Sequence, residues 1–240
     1  MSSKGNYGVD SPAIVGTLCV LGLAGIGIAY LLPSGWRWAG YVPGMYFLLG
    51  AAGMLFYSKV GKLALRERLL DKIPWKGDEQ VLDVGCGRGL LTVGAARRLS
   101  TGKVVGVDVW QRGAITGNRA DSVLDAQIEH VSDRVEVKEG DARALPFADE
   151  TFDVVVSNFV VHEMNTRQER ETMMREVARV LKTGGRVVLV DFIFTSECVA
   201  DLQNHGVIAA RMRDGFVSFW IPAILNFGAV RTYHVVGRKI

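Results

Sequence analysis

The residues from Val81 to Leu91, Val-Leu-Asp-Val-Gly-Cys-Gly-Arg-Gly-Leu-Leu, constrain this chain more than any other stretch. Val81 to Val84 reads as a short buried strand, and the apolar positions Leu91, Ala95 and Leu99 recur beyond it at helical spacing. Gly85, Gly87 and Gly89 lie between them, so the chain turns sharply from strand into helix. Glycine lets the backbone approach a bound molecule closely, and the first amides of a helix are donors without an intrahelical acceptor. The turn therefore predicts a ligand site whose donors the protein has left free.

Two carboxylates narrow the ligand. Asp83 sits inside the strand just before the turn, where it disfavours a pyrophosphate and favours a cation. A second strand, Lys103 to Val107, ends at Asp108, about twenty residues beyond the turn, where a carboxylate grips ribose hydroxyls. Leu90 and Leu91 follow Gly89 directly, so the spacing is G-x-G-x-G and not the dinucleotide fingerprint G-x-G-x-x-G. Asp83-Val-Gly85-Cys-Gly87-Arg-Gly89 followed by Val104-Val-Gly-Val-Asp108 resembles the first two motifs of the class I methyltransferases that use S-adenosylmethionine. The resemblance covers about Gln80 to Asp191 and is strongest to the type 11 group, which includes quinone-biosynthesis, sterol and phospholipid N-methyltransferases. It implies a Rossmann-like α/β fold, with a seven-stranded mostly parallel sheet and helices on both faces. A nicotinamide oxidoreductase and a ligand-free domain of the same topology are the competing readings.

Composition places the excess apolar character at one end. Of 240 residues 49% are hydrophobic, and the formal net charge is only +3. Ala13 to Leu32 has no charged residue and is long enough to cross a bilayer as a helix. Pro33, Ser34 and Gly35 break it, and Trp36, Arg37 and Trp38 resemble interfacial anchors. Ala39 to Tyr57 is a second uncharged stretch of similar length. Residues 1–57 thus predict a transmembrane hairpin, with spans at about 13–32 and 39–57; a buried hairpin in a soluble core is the rival. Gly22, Gly25, Gly40 and Gly44 would let the two helices approach closely. Lys59, Lys62, Arg66, Arg68, Lys72 and Lys76 follow the second span, Lys4 precedes the first, and only Arg37 lies between. Both ends are therefore expected on the cytoplasmic side of an integral membrane protein. Residues 58–79 predict a basic linker, helical over Ser58 to Ile73 and ended by Pro74, with a charge suited to anionic headgroups of membrane lipids. Residues 80–240 form the α/β domain. Interspersed acids and bases argue against a nucleic-acid partner, and Cys19, Cys86 and Cys198 lack both metal spacing and a disulfide framework.

Within the domain, Ala120, Leu124, Ile128 and Val131 form an apolar stripe expected to face the sheet from a helix over Ala114 to Val131. Val135 to Lys138 is the third strand. Gly140, Asp141 and Ala142, with Leu145, Pro146 and Phe147 beyond, resemble the family's third motif, in which the acid meets the adenine amino group; in isolation Asp141 reads as a turn or cap. Phe152 to Ser157 is the fourth strand. Thr166 and Glu169 make a capping-box pattern opening a helix that carries Met173, Val177, Val180 and Leu181 and stops at Gly184 and Gly185. Val187 to Val190 is the fifth strand, ending at Asp191. Cys198 to His205 predicts a helix closed by Gly206, and Thr232 to Arg238 a final strand antiparallel to one near Ala209 to Arg213. Phe216 to Phe227 carries no charge and reads either as packed core or as a lipid-facing or substrate-covering segment.

The resemblance implies cofactor contacts from Asp83, Gly85, Cys86, Gly87, Gly89, Asp108, Val109, Asp141, Ala142 and Asn158. Asn158, His162 and Glu163 follow the fourth strand, at the edge where open parallel sheets bind ligands, and are the catalytic candidates. Methyl transfer from a sulfonium needs donor and acceptor in line, and a base only where the acceptor must lose a proton. His162 is the first candidate base, or else a polar residue capping the pocket. Glu163 and Asp191 either attract a cationic acceptor or cap neighbouring elements. The expected partner is a small or lipid-like methyl acceptor. The alternative from another class is a non-catalytic membrane-tethered scaffold that retains the binding fold.

Overall fold

Valine-rich runs with both faces covered favour central parallel strands, and this chain has three: Val104 to Val107, Val154 to Val156 and Val187 to Val190. The computed structural model describes residues 5–110, 119–213 and 233–240. The segment Phe216 to Phe227 and the first residues of the predicted 114–131 helix lie outside them. The described residues form two compact units, one of 5–7, 63–213 and 233–240, the other of 8–62.

In the larger unit, β1 (Gln80–Val84), β2 (Lys103–Asp108), β3 (Val135–Glu139), β4 (Phe152–Asn158), β5 (Leu181–Asp191), β6 (Val207–Arg213) and β7 (Tyr233–Lys239) make one sheet of order β3-β2-β1-β4-β5-β7-β6. The first five strands are parallel, and β7 runs antiparallel to both β5 and β6. The expected seven-stranded mostly parallel sheet and its closing antiparallel pair are both present. Strand order reverses between β1 and β4, so the crevice at the carboxyl ends of those two strands is the ligand position that this topology creates.

The helices are α3 (Lys62–Leu70), α4 (Leu90–Ala96), α5 (Arg119–Ile128), α6 (Arg167–Val180) and α7 (Thr195–Asn204). Thr166 and Glu169 form the predicted capping box. The helix after it ends at Val180, earlier than the glycines suggest. Lys182 to Gly185 is instead a register shift within β5, where Phe152 pairs with Leu181 but Val154 pairs with Arg186. The apolar stripe expected on α5 is also displaced: Leu124 is 53% exposed, while Ser122, Asp125 and Ala126 face inward. Polar side chains win that face because each has a buried partner nearby. Ser122 donates to the Gly87 carbonyl at 2.5 Å, and Asp125 accepts the Asn6 amide at 2.7 Å.

Glu129, one turn beyond Asp125, gathers four donors. The Gly5 amide (3.0 Å) and the Tyr7 hydroxyl (2.7 Å) donate to Oε1, Arg97 reaches Oε2 at 3.2 Å, and buried Arg66 of α3 lies at 3.5 Å. Burial alone would raise the Glu129 pKa; the Tyr7 and Gly5 hydrogen bonds and the two guanidinium groups outweigh it and hold the carboxyl below its ordinary value. The network pins residues 5–7 and α3 to the sheet unit.

The smaller unit contains α1 (Pro12–Leu31), a 3-10 turn (Ser34–Trp36) and α2 (Trp38–Phe56), with a π-helical turn at Tyr57–Gly61 that interrupts the expected linker helix. Val15, Gly22 and Ala29 recur every seven residues on α1 and are buried. A Cβ at Gly25 would stand 2.9 Å from the Gly44 Cα, and one at Gly40 2.6 Å from the Gly25 carbonyl oxygen. The two helices meet backbone to backbone at the glycines. Both are long and apolar enough to cross a membrane.

Replacing Glu129 with Ala removes the buried acceptor shared by Gly5, Tyr7, Arg97 and Arg66, a change that costs on the order of 3 kcal/mol. Denaturant unfolding of the full chain should show that loss, with Glu129→Gln intermediate; unchanged stability would mean the network is ornamental.

Candidate active site

The glycine turn takes its shape from the neighbouring strand. The amides of Gly85 (2.8 Å) and Cys86 (3.1 Å) both donate to the Val107 carbonyl at the end of β2, and the Gly87 amide donates to Asp108 Oδ2 at 2.8 Å. The Gly89 amide closes onto the Cys86 carbonyl at 2.7 Å. These four loop amides are bonded within the protein, because the turn must satisfy its own backbone where it is buried, and only the helix that begins at Leu90 can supply the free donors expected of it. All three glycines have positive φ, of 71°, 49° and 80°. A Cβ at Gly85 would also stand 2.1 Å from Val160 Cγ2, just past β4. Cys86 is buried, with its sulfur against Gly106, and burial pushes its thiol pKa upward. It contributes backbone and packing.

Asp83 lies 1% exposed beneath the turn and accepts the Thr92 hydroxyl at 2.6 Å as well as the Thr92 amide, so it caps α4 from within the sheet. Burial pushes its pKa up to about 7; the Thr92 bonds oppose the rise and the charge of Asp108 adds to it. Asp108 also accepts the Trp110 amide on Oδ1 at 3.1 Å, which leaves a second lone pair on each oxygen. Val109 beside it is exposed. Asp141 follows β3 next to the end of β2, where the Gly140 amide bonds the Asp108 carbonyl at 3.0 Å. Its carboxylate is gripped by Arg143 through Nε (3.0 Å) and Nη2 (2.6 Å), and those hydrogen bonds hold its pKa below the ordinary value. An adenine amino group would have to share that carboxylate with Arg143. Ala142 is buried.

At the end of β4, Asn158 Oδ1 is buried with no hydrogen-bond partner among the described residues. Phe159 takes a left-handed conformation (φ 57°), its amide bonded to the Val190 carbonyl of β5 at 2.9 Å. The backbone then carries His162 over the end of β5, where Asp191 Oδ2 accepts the His162 amide and lies 3.1 Å from Nδ1. Nε2 is 3.2 Å from Glu163 Oε1. Burial lowers the imidazole pKa, but the hydrogen bond to Asp191 and the charges of Asp191 and Glu163 outweigh it and raise the value above the ordinary 6.5. Phe192 stacks on His162 with ring centroids 4.5 Å apart, and Phe159 lies 6.1 Å from Phe192.

The sheet thus brings Asn158, His162 and Glu163 together and sets Asp83, Asp108 and Asp141 along the same carboxyl edge. Sequence reasoning passed over Asp191 as the partner of His162, and Phe159, Phe192 and Ser122 altogether. For Asp191 a signal existed: it ends the strand beside β4, level with Asn158.

This sheet order, with helices between its parallel strands, is a Rossmann-like α/β fold. The methyltransferase-domain family model matches residues 82–189. The methyltransferase GfsG of Streptomyces halstedii is 34% identical over 131 residues, 54% of this chain and 43% of that protein. The ubiquinone/menaquinone biosynthesis C-methyltransferase UbiE of Roseobacter denitrificans is 29% identical over 127 residues, 53% of this chain and 48% of that protein. The matches therefore span less than half the length of either relative. Among solved structures, the [4+2]-cyclase SpnF superposes with a TM-score of 0.61 at 20% identity, over 74% of this chain and 81% of that one. S-adenosylmethionine is the cofactor such a domain holds. The residues fit it: Asp108 has lone pairs to spare for two hydroxyls, and the unpartnered Asn158 oxygen awaits a donor.

Two measurements test these placements. Asp108→Ala should weaken S-adenosylmethionine binding by about 1 to 3 kcal/mol, the range for a lost hydrogen bond to a charged group, read by calorimetry; unchanged affinity removes Asp108 from the site. Asp83 binds its proton more tightly folded than unfolded, so its contribution to stability is present near pH 4 and lost as pH rises through about 7. Cofactor-free Asp83→Asn should therefore gain stability over wild type from pH 5 to pH 8, and a constant difference in unfolding midpoint would refute the buried-acid reading.

Proposed function

We propose that this chain is a membrane-anchored, S-adenosylmethionine-dependent methyltransferase acting on a small or lipophilic acceptor of the quinone, lipid, amine or thiol class. The reading divides it into a transmembrane hairpin at 1–57, a basic linker at 58–79 and a catalytic domain at 80–240, with both termini and the domain on the cytoplasmic side. What supports an anchor is that the apolar windows of the two helices are only 17% and 22% buried, unlike the core helices of a soluble protein. Relatives named for quinone and rifamycin methylation support a small acceptor.

The observation that carries the catalytic reading is the His162–Asp191 pair, four residues past Asn158 and two past Val160, which packs on the glycine turn. A carboxylate only accepts, so Nδ1 carries its proton toward Asp191; Nε2 donates to Glu163 when the ring is charged and presents its lone pair when the ring is neutral. When bound, S-adenosylmethionine supplies an electrophilic methyl group on sulfur. His162 Nε2 would take the proton that an acceptor atom has to lose on methylation. Asp191 fixes the ring and stabilises the resulting imidazolium, and Glu163 accepts from Nε2 once it is charged. Phe159 and Phe192 give the acceptor an apolar wall that keeps bulk water from the base.

The base works only when neutral, so kcat/KM should rise with pH through a value above 6.5 and then level. Asp191→Asn should move that limb to lower pH, since it removes the charge that raises it. His162→Gln should cut kcat by roughly 10² to 10⁴, the usual worth of a general base, at unchanged cofactor affinity. Membranes holding the full chain, incubated with radiolabelled methyl donor, should transfer label to an extractable small molecule or lipid. Cofactor binding without any labelled product would favour the scaffold reading.

A further inference from the structure

A cleft of about 470 Å³ lies between α3 and the β6–β7 hairpin, outside the machinery described above. Arg68 on α3 and Lys72 in the turn that follows the helix stand on one side, and Arg213, the last residue of β6, stands on the other. The acid in the lining, Asp71, is bonded at 2.6 Å to Arg98, which also holds Glu67, and is outnumbered by the three cations of the cleft. Among the described residues no carboxylate lies within ion-pair distance of Lys72 or Arg213. The floor is made by Leu69 and by His234, which is 4% exposed and pairs across the hairpin with Met212. Three cations converging on one cleft suit a phosphate ester better than a cationic or neutral polar ligand. Guanidinium groups fork onto two oxygens, and an ammonium adds a point charge.

We propose that this cleft binds a phosphate group, the headgroup phosphate of a membrane phospholipid. The choice of source rests on the membrane anchor of the preceding reading. In the sequence Arg68 follows Lys62, the last residue of the apolar helical unit, by six positions. The site also has a bearing on the reaction. His234 pairs with Val190 and Tyr233 with Asp191, so the cleft opens beside the strand end that orients His162. A lipid held there by its phosphate would keep the acceptor side of the domain against the bilayer surface.

The test uses the purified full chain in a neutral detergent, titrated by calorimetry with monomeric dihexanoylphosphatidic acid and, separately, with inorganic phosphate. Saturable binding of the short-chain lipid, at least tenfold tighter than inorganic phosphate and at least tenfold weaker in Lys72→Gln/Arg213→Gln, supports the proposal; Lys72→Gln alone should fall between. Equal affinity for the two probes, still lost in the double variant, supports a phosphate site but assigns it to free phosphate. No saturable binding of either probe, or binding unchanged in the double variant, overturns it. The same samples titrated with S-adenosylmethionine should show wild-type affinity in both variants, which establishes that they are folded. Failure of the wild-type chain to bind S-adenosylmethionine would sink the methyltransferase reading and leave the phosphate result standing.

Discussion

The carbonyl of Val107 receives two amides from a different strand's turn, and the carboxylate one residue later receives a third. Parallel pairing of β1 with β2, in the register that sets Val84 opposite Val107, is what makes those bonds possible. Once they form, the path from Gly85 to Gly87 has little freedom, and the positive φ values follow as consequences. Asp83 completes the arrangement from below by holding the first turn of α4 through Thr92. Its own ionisation is disfavoured there by burial, so the charge nearest the turn depends on pH and on Asp108.

From that turn the structure reaches the other half of the site by direct contact. Gly85 has no side chain where Val160 packs, and Val160 belongs to the short segment that carries Asn158, Phe159 and His162 from β4 to β5. Donor and acceptor sides are therefore parts of one packed edge. The left-handed Phe159 supports this: a non-glycine residue at positive φ is tolerated because its amide is bonded to the Val190 carbonyl and its ring lies near Phe192 and His162.

Some of this was legible residue by residue. The valine-rich strands, the Thr166–Glu169 box and the Gly206 stop are local signals with local causes, and each lies where its pattern indicates. The stripe on α5 was misread because Ala120 and Leu124 have helical spacing but no buried partner, whereas Ser122, Asp125 and Glu129 find theirs on the glycine turn and on residues 5–7. Nothing in the local pattern announces a partner more than a hundred positions away. The glycines before Arg186 mark a turn in isolation, and the sheet absorbs them as a register shift because β4 continues to pair on either side.

Amino-acid order alone determined the strand-turn-helix at Gly85, the continuous valine-rich runs that demand a doubly covered sheet, and the two uncharged helical stretches, since each depends on near neighbours and on where apolar side chains fall. Only the tertiary structure decided which donors and acceptors remain available. The turn amides are taken by β2 and Asp141 is taken by Arg143, while Asp191 becomes the partner of His162. Hydrogen bonds between adjacent strands are set by register, and register is a property of the assembled sheet.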